Sequence, residues 1–233
     1  MNSFSVKEIK SACSNYQEWH EFVRRKEAEI IFDTIGSRFK KAIELGAGDG
    51  GQSVTISRYC DELVCTEKDE NGNGFVGKFS SRNILNVEYM LCDAENLSRF
   101  KDESFDLVFS SNMLEHVPNL SLCLNECKRV SAEDGLIVHV VPTITWKITC
   151  FLLSLVQFQK PLIHGVSRSH LKEVMQFSKI SWRRQFNKHG FYIQDEIKLP
   201  FTTGHGIKFP RVVILGNALG FSSTTAFVLR NKC

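Results

Sequence analysis

Three glycines at every second position follow a short apolar stretch that ends in a carboxylate. The segment reads Ala42-Ile43-Glu44-Leu45-Gly46-Ala47-Gly48-Asp49-Gly50. Because glycine has no Cβ and tolerates positive φ, such a turn lets the backbone pass very close to a ligand. A helix that follows the turn directs its free N–H groups and its positive dipole end toward that ligand. The pattern predicts a ligand-binding turn, although similar glycines also occur in dinucleotide-binding proteins.

A second carboxylate stands where a nucleoside ligand needs one. Residues 63–66 read as a short buried strand, and Glu67 ends it, 17 residues beyond Gly50. Doubly wound folds place a ribose-binding acid about 20 residues after the glycine turn. A carboxylate at that point can accept hydrogen bonds from both ribose hydroxyls. Glu67 is therefore predicted to bind a ribose, the alternative being an ordinary surface carboxylate at a strand end.

The spacing of the turn separates the two common ligands that carry such a ribose, NAD and S-adenosylmethionine. Dinucleotide turns follow G-x-G-x-x-G and make room for a pyrophosphate. Here the order is Glu44-x-Gly46-x-Gly48-x-Gly50, with an acid inside the motif. A carboxylate repels a pyrophosphate and attracts a cationic amino-acid ligand. The spacing therefore favours S-adenosylmethionine.

From about residue 40 to residue 142 the chain resembles the class I S-adenosylmethionine-dependent methyltransferases. The resemblance rests on five blocks in the family's order, which are residues 44–50, Glu67, residues 89–97, residues 105–117 and residues 129–138. The block at 105–117 is similar to the branch that includes the ubiquinone and menaquinone methyltransferases. In that family the acid of the third-strand block, here Asp93, meets the adenine amino group. The resemblance implies that the cofactor is bound by Glu44, Gly46, Ala47, Gly48, Gly50, Glu67, Asp93, Ala94, Ser110 and Asn112.

Strand and helix patterns alternate through residue 142, as a parallel sheet with crossover helices requires. Residues 191–199 and 225–231 also have strand character. The resemblance implies an α/β, Rossmann-like fold with a seven-stranded, mostly parallel sheet, helices on both faces and an antiparallel last strand. We expect one domain over residues 1–233. It divides into a helical flank at 1–38, a cofactor-binding core at 39–142, a substrate-side insert at 143–178 and the completion of the sheet at 179–233.

The cysteines and the N-terminus indicate a cytoplasmic protein. Eight cysteines occur without a C-x-x-C pair and read as reduced packing residues, namely Cys13, Cys60, Cys65, Cys92, Cys123, Cys127, Cys150 and Cys233. Cys123 and Cys127 share a helical face but have no second pair near them, so no metal site is predicted. The first ten residues are polar and charged, which does not fit a signal peptide.

The net charge of +3 is distributed unevenly along the chain. Residues 1–142 hold 16 basic and 23 acidic residues, whereas residues 143–190 hold eight basic residues and one acid, Glu173. Such a split suggests that the later half meets an anionic substrate or partner. The alternative is that these cations only solvate helix faces.

The insert begins with a strongly apolar stretch at 144–158, shorter than the roughly 20 residues that span a bilayer. It is expected to cover the active site. The alternatives are a dimer contact or an interfacial helix in peripheral contact with the inner membrane surface, with Trp146 and Lys147 at its wet edge. A polar segment follows at 164–170.

The basic helix expected at 180–190 interleaves aromatic and basic residues, as nucleic-acid-binding segments do. Trp182 and Phe186 are four residues apart, however, which suits a core stripe with Arg183 and Arg184 in water. Residues 110–113 also lack the Asn-Pro-Pro-aromatic motif of nucleic-acid amino methyltransferases, which disfavours a nucleic-acid substrate. The helix and the insert faintly resemble methyltransferases of bacterial surface-polysaccharide synthesis.

These observations predict methyl transfer to a small or lipid-linked acceptor, at an oxygen of an anionic sugar intermediate. A hydroxyl acceptor must lose its proton, and a general base assists that loss. His116, in the loop after the fourth strand, is the candidate base, the alternative being a structural hydrogen bond. His164, His170 and His205 are weaker candidates. Methylation of a quinone-like lipid precursor and a non-catalytic, cofactor-binding regulatory subunit are the alternative functions.

Overall fold

The computed structural model describes residues 16–69, 85–156, 158, 163–166, 169–201 and 222–232. Its strands are β1 Phe39–Leu45, β2 Cys60–Glu67, β3 Val87–Leu91, β4 Phe105–Ser111, β5 Ser131–Pro142, β6 Phe191–Lys198 and β7 Thr224–Asn231. Its α-helices are α1 Tyr16–Ile35, α2 Ser53–Ile56, α3 Leu120–Val130, α4 Ile144–Val156, α5 His170–Gln176 and α6 Lys179–Lys188. Two 3₁₀ turns cover Ser57–Tyr59 and Leu114–His116.

The seven strands form one sheet in the order β3-β2-β1-β4-β5-β7-β6. The first five strands pair in parallel, and β7 runs antiparallel to both of its neighbours. The order reverses at β1, whose carboxyl end lies between those of β2 and β4. Open α/β sheets bind ligands beside such a switch point. The predicted mostly parallel sheet with an antiparallel last strand is therefore confirmed.

Side chains from alternating positions of the strands form two cores, one on each face of the sheet. Helices α1 and α2 cover one face, where Ile31 and Ile56 pack on Ala42. Helices α3 and α6 cover the other face, where Leu124 and Phe186 pack with Ile43. Period-two alternation in β1 sends neighbouring side chains to opposite faces. Helices on both faces are thus confirmed.

Within the described part of the chain, the cysteines form no disulfide bonds. Burial raises the pKa of the Cys60 thiol to about 12 and raises that of Cys65 well above its usual range. Both thiols therefore stay protonated and pack in the core, as the sequence indicates. Cys13 and Cys233 lie outside the described residues.

The first helix of the insert, α4, is held by a buried ion pair. Lys147 Nζ lies 2.5 Å from Glu173 Oε2 on α5, and both side chains are almost fully buried. Trp146 is also buried, and its ring contacts those of His164 and Phe177. In the interfacial-helix alternative Trp146 and Lys147 would face water, and that part of the alternative is wrong because both side chains have partners inside the protein. Within the described ranges, no helix is long and apolar enough to cross a bilayer.

Helix α6 presents its aromatic residues to the core, as the helical spacing indicates. Trp182 and Phe186 are buried, and Phe186 packs on Phe227 of β7. Arg183 faces outward and forms a bidentate ion pair with Glu196 of β6, at 2.5 and 2.8 Å. The aromatic side chains of α6 are therefore not presented for base stacking.

Candidate active site

The glycine turn after β1 has the backbone conformation that only glycine adopts easily. Gly46, Gly48 and Gly50 have φ of +68°, +57° and +69°. A Cβ at Gly46 would lie 2.6 Å from Met113 Cγ, so the turn packs against the loop after β4. A Cβ at Gly48 would meet no atom within 4 Å. The turn is thus packed against Met113 at Gly46 and has open space beside it at Gly48.

Glu67 at the end of β2 lies beside the open part of the turn. Its Oε2 accepts a hydrogen bond from the Gly48 N–H at 3.0 Å, and its Oε1 accepts one from the Lys68 N–H at 3.0 Å. The Ala47 N–H donates to the Thr66 carbonyl at 3.0 Å and fixes the turn against β2. Each carboxylate oxygen can accept more than one hydrogen bond, so Glu67 retains capacity for ligand hydroxyls.

Asp93 follows β3, the next strand of the sheet, and lies on the same edge. The Cys92 N–H donates to the Glu67 carbonyl at 2.9 Å, which holds the ends of β2 and β3 together. Asp93 is partly exposed and accepts from Lys68 Nζ at 2.7 Å and from the Glu95 N–H at 3.0 Å. Burial opposes its ionisation, but these contacts outweigh burial and lower the pKa of Asp93. The structure therefore brings Glu67, Asp93 and the half-buried Ala94 to one end of the sheet.

Glu44 lies beneath the turn. Its carboxylate is almost fully buried and accepts hydrogen bonds from the Ser53 hydroxyl, at the start of α2, and from the Cys65 thiol. Burial, helped by the nearby charges of Glu67 and Asp49 and opposed by the hydrogen bonds from Ser53 and Cys65, raises the pKa of Glu44 to about 7. Glu44 ties β1 and β2 to α2, and its contact with a cofactor stays a prediction.

The two predicted cofactor residues of the β4 end also have partners inside the protein. The Ser110 hydroxyl lies in the core, 2.7 Å from His139 Nδ1 of β5. Asn112 has φ of +49°, and its side-chain oxygen, in the amide orientation that satisfies its neighbours, accepts from both terminal nitrogens of Arg24 on α1, at 2.5 and 3.2 Å. Their roles in cofactor binding stay predictions, since both backbones lie at the carboxyl end of β4.

His139 and Arg24 also contact this region, although no sequence motif includes them. Burial lowers the pKa of His139 to about 3, so its ring is neutral, and it stacks on Phe186. Arg24 forms an ion pair with buried Glu27 at 2.6 Å, and Glu27 accepts from the Thr224 hydroxyl of β7 at 2.5 Å. An arginine and a glutamate three residues apart on a helix predict an exposed ion pair. The hydrogen bond between Glu27 and Thr224 of β7 could therefore not be predicted from the sequence.

His116 lies beside a buried carboxylate and a second histidine. The rings of His116 and His164 meet edge to face, with centroids 4.5 Å apart. Their Nε2 atoms lie 4.0 and 3.9 Å from Glu115 Oε1. Burial raises the pKa of Glu115 to about 7, and neither of its carboxylate oxygens accepts a hydrogen bond from another described residue. The structure thus joins two of the four predicted histidines and adds Glu115, which the sequence argument missed.

The insert places His164 through three backbone contacts. The Val166 N–H donates to the Glu115 carbonyl at 3.0 Å, and Gly165 leaves no room for a Cβ against that carbonyl. The His164 N–H donates to Glu173 Oε1 at 2.9 Å.

The set of Glu115, His116 and His164 has the composition of a divalent-metal site, since their ligand atoms lie within 4.8 Å of one another. His170 lies instead next to Glu173, at 3.9 Å. His205 is outside the described residues.

The charges around the turn distinguish between a dinucleotide such as NAD and S-adenosylmethionine as the ligand. The carboxylates of Glu44, Asp49 and Glu67 lie close enough to influence one another. A pyrophosphate at the turn would be repelled by the carboxylates of Asp49 and Glu67, whereas a ligand with a cationic amino-acid portion would be attracted. The open space at Gly48, with Glu67 beside it and Asp93 on the next strand, fits a ribose and an adenine amino group. The residues present therefore fit S-adenosylmethionine.

Comparison with known proteins agrees with this geometry. Residues 43–139 match the family described as "Methyltransferase domain". The ubiquinone biosynthesis O-methyltransferase of Rhizobium etli is 26% identical over 97 residues, which cover 42% of the chain and 39% of that protein. The chain therefore spans well under two thirds of the length of this curated relative.

Two solved structures show the same fold at low sequence identity. An S-adenosylmethionine-dependent methyltransferase from Aquifex aeolicus superposes with a TM-score of 0.61 at 12% identity, covering 97% of this chain and 98% of that one. A geranyl diphosphate C-methyltransferase from Streptomyces coelicolor, solved with S-adenosylhomocysteine, gives 0.60 at 14% identity, covering 88% and 77%. The predicted Rossmann-like fold is confirmed, and the family match supports S-adenosylmethionine as the cofactor.

Proposed function

We propose that this chain, which carries a class I S-adenosylmethionine-dependent methyltransferase domain over residues 43–139, transfers a methyl group to an oxygen of a small or lipid-linked acceptor. The acceptor class that we favour is an anionic sugar intermediate. One observation carries the proposal. The insert places His164 next to His116 and the buried Glu115 carboxylate, and this group adjoins the glycine turn because Met113 packs on Gly46.

Each part of the site has a distinct task in this proposal. Glu67 binds the ribose hydroxyls, Asp93 accepts from the adenine amino group, and the glycine turn leaves room for the cofactor at Gly48. When bound, S-adenosylmethionine supplies a methyl group on an electrophilic sulfonium. The protein then has to align the acceptor oxygen and remove its proton.

His116 is the residue that we assign to proton removal. Its ring is half exposed, so an acceptor can reach it, whereas Glu115 is buried behind it. A carboxylate beside an imidazole stabilises the imidazolium that forms when the ring takes a proton. His116 therefore receives the hydroxyl proton, His164 positions its ring by edge-to-face packing, and Glu115, 4.0 Å from its Nε2, stabilises the positive charge.

The charge of the insert supports an anionic acceptor. Between residues 143 and 190 the one acidic residue is Glu173, and its carboxylate is buried against Lys147. The exposed charges that this segment contributes are therefore cationic, and they include Lys172 and Arg184. Cations grouped near a site raise the local concentration of an anionic substrate.

Product identification tests the proposal. The purified protein is incubated with methyl-labelled S-adenosylmethionine and with extracts of the source cells, separated into nucleotide-linked sugars, lipid-linked sugars and quinone precursors. We expect label in an anionic sugar fraction, stable to mild base as a methyl ether is. The His116→Gln variant should bind S-adenosylhomocysteine normally and produce little labelled product.

A quinone-like lipid precursor is the second candidate acceptor. It is favoured by the match to a ubiquinone biosynthesis O-methyltransferase and by the apolar helix α4 beside the site. Label confined to the quinone fraction would select this acceptor. Absence of label from every fraction, with cofactor binding intact, would contradict both candidates and favour a non-catalytic regulatory subunit.

A further inference from the structure

Helix α4 exposes an unbroken apolar stripe. Ile148, Phe151, Leu152 and Leu155 each remain between 40% and 55% exposed. Their spacing of three, one and three residues puts them on one face of the helix. Single exposed apolar residues are common on protein surfaces, but a contiguous face usually marks an interaction site. We call these four residues the α4 stripe.

The α4 stripe is fixed in its outward orientation. Trp146 lies on the opposite face of the helix and Lys147 to one side of the stripe, and both are buried. Lys147 is anchored to Glu173 at 2.5 Å, and Trp146 packs on His164 and Phe177. Rotation of α4 to bury the stripe would break a buried ion pair, which costs several kcal/mol. The stripe is therefore a permanent part of the surface.

The next two helices also expose large apolar side chains. Leu171 and Met175, four residues apart on α5, are 73% and 64% exposed, and Ile180 at the start of α6 is 67% exposed. Helix α5 is joined to α4 by the Lys147–Glu173 ion pair. Both helices of the insert, and the start of α6 after it, thus expose large apolar side chains.

The exposed charges of the segment that carries these helices have one sign. Glu173, the single acid between residues 143 and 190, is buried and neutralised by Lys147. Lys172 lies on α5 between the exposed Leu171 and Met175, and Arg184 and Lys188 are exposed on α6. Lys179 and Arg183 also belong to α6, but they pair with Glu196 of β6. Exposed apolar residues accompanied by cations are the composition of a helix that lies at a lipid interface.

We propose that the α4 stripe, with the exposed apolar residues of α5, binds the surface of an anionic lipid bilayer. The apolar side chains enter the boundary between headgroups and acyl chains, and Lys172, Arg184 and Lys188 attract the anionic headgroups. A second copy of the chain fits this surface less well. In a symmetric dimer the same patch faces itself, which would bring these cations together. The proposal concerns attachment and does not depend on the acceptor proposed above.

Sedimentation with vesicles tests the proposal. The full chain is mixed with vesicles of phosphatidylcholine alone or of phosphatidylcholine with phosphatidylglycerol, and the bound fraction is measured after centrifugation. We expect binding to the mixed vesicles that weakens as salt is raised, because screening shortens the reach of the headgroup charge. Binding to phosphatidylcholine alone should be much weaker.

Matched variants identify the surface involved. Phe151→Gln with Leu152→Gln should lower the partition coefficient about tenfold or more, because two partly inserted side chains lose their apolar contact. Leu122→Gln is the control, since Leu122 is 48% exposed on α3, away from the insert. It should bind vesicles as the wild type does. The substituted side chains are all exposed already, and unchanged binding of S-adenosylhomocysteine confirms that the variants are folded.

Three results would overturn the proposal. The first is absence of binding to vesicles of either composition. The second is equal, salt-independent binding to both compositions, which would remove the anionic headgroup from the argument. The third is a dimer, measured by light scattering, that Phe151→Gln with Leu152→Gln dissociates, since the stripe would then be an interface between copies of the chain.

Discussion

Replacement of Gly48 by alanine separates the folding role of the glycine turn from its role in ligand binding. Gly48 has φ of +57°, and a Cβ there would meet no protein atom within 4 Å. Gly36, which follows α1, offers a matched control, with φ of +65° and equally open space around its Cβ. An L-residue in this conformation costs about 1–2 kcal/mol, partly offset because alanine restricts the unfolded chain.

Gly48→Ala and Gly36→Ala should therefore destabilise the protein to the same extent, by about 1 kcal/mol, or a few degrees in Tm. Their effects on the cofactor should differ. The new methyl group at position 48 occupies the space beside Glu67 where the ligand must pass, so the affinity for S-adenosylhomocysteine should fall about tenfold or more, equal to at least about 1.4 kcal/mol. Gly36→Ala should leave this affinity unchanged.

Thermal unfolding and isothermal titration of S-adenosylhomocysteine measure the two effects. Equal losses of affinity in both variants would mean that the effect is one of stability alone. A Gly48→Ala protein that is folded and binds with wild-type affinity would refute the placement of the ligand over the turn.

The remaining predictions concern single carboxylates and hydroxyls of the site. Glu67→Gln should weaken S-adenosylhomocysteine binding by about 1.5–3 kcal/mol, as loss of a charged acceptor does. Glu62→Gln, at an exposed position near the start of β2, should leave binding unchanged, and titration of both variants decides this. Because burial raises the pKa of Glu44 from 4.5 to about 7, its contribution to stability is fully present below pH 4.5 and is lost as the pH rises through 7. Glu44→Gln should remove up to about 3 kcal/mol of this pH dependence, measured by urea unfolding across that range, and an unchanged slope would contradict the buried carboxylate. Ser110→Ala should cost about 1–3 kcal/mol in urea unfolding because its buried histidine partner loses a hydrogen bond, and a large loss of cofactor affinity instead would assign Ser110 to the cofactor. His116→Ala should reduce the methyl-transfer rate at saturating cofactor by about 10²–10⁴-fold, and an unchanged rate would leave it a structural role.

The sequence predicted that Glu67 and Asp93 lie close together, because the carboxyl ends of parallel strands meet at one edge of the sheet. Glu67 and Asp93 end neighbouring strands, and the structure brings them to that edge. The direction of a side chain is harder to predict, since it depends on strand parity and on the far wall of the core. Ser110 and Glu44 lie at strand ends, yet their side chains contact His139 and Ser53 inside the protein.

The arrangement around His116 depended on contacts that no local pattern contains. No local sequence pattern predicts the position of His164. Its ring contacts that of His116 because the insert folds back onto the loop after β4. The same fold buries Lys147 and Trp146, which the interfacial-helix alternative would place in contact with water. Both results follow from Glu173, whose carboxylate binds Lys147 and the His164 backbone together.

The central claim is that the turn at 46–50, with Glu67 and Asp93, binds S-adenosylmethionine and no dinucleotide. Isothermal titration of the purified chain with S-adenosylhomocysteine, and separately with NAD, tests it most directly. One saturable site for S-adenosylhomocysteine is expected, weakened in Glu67→Gln, with no measurable binding of NAD. Saturable binding of NAD, or absence of S-adenosylhomocysteine binding by the folded protein, would contradict the claim.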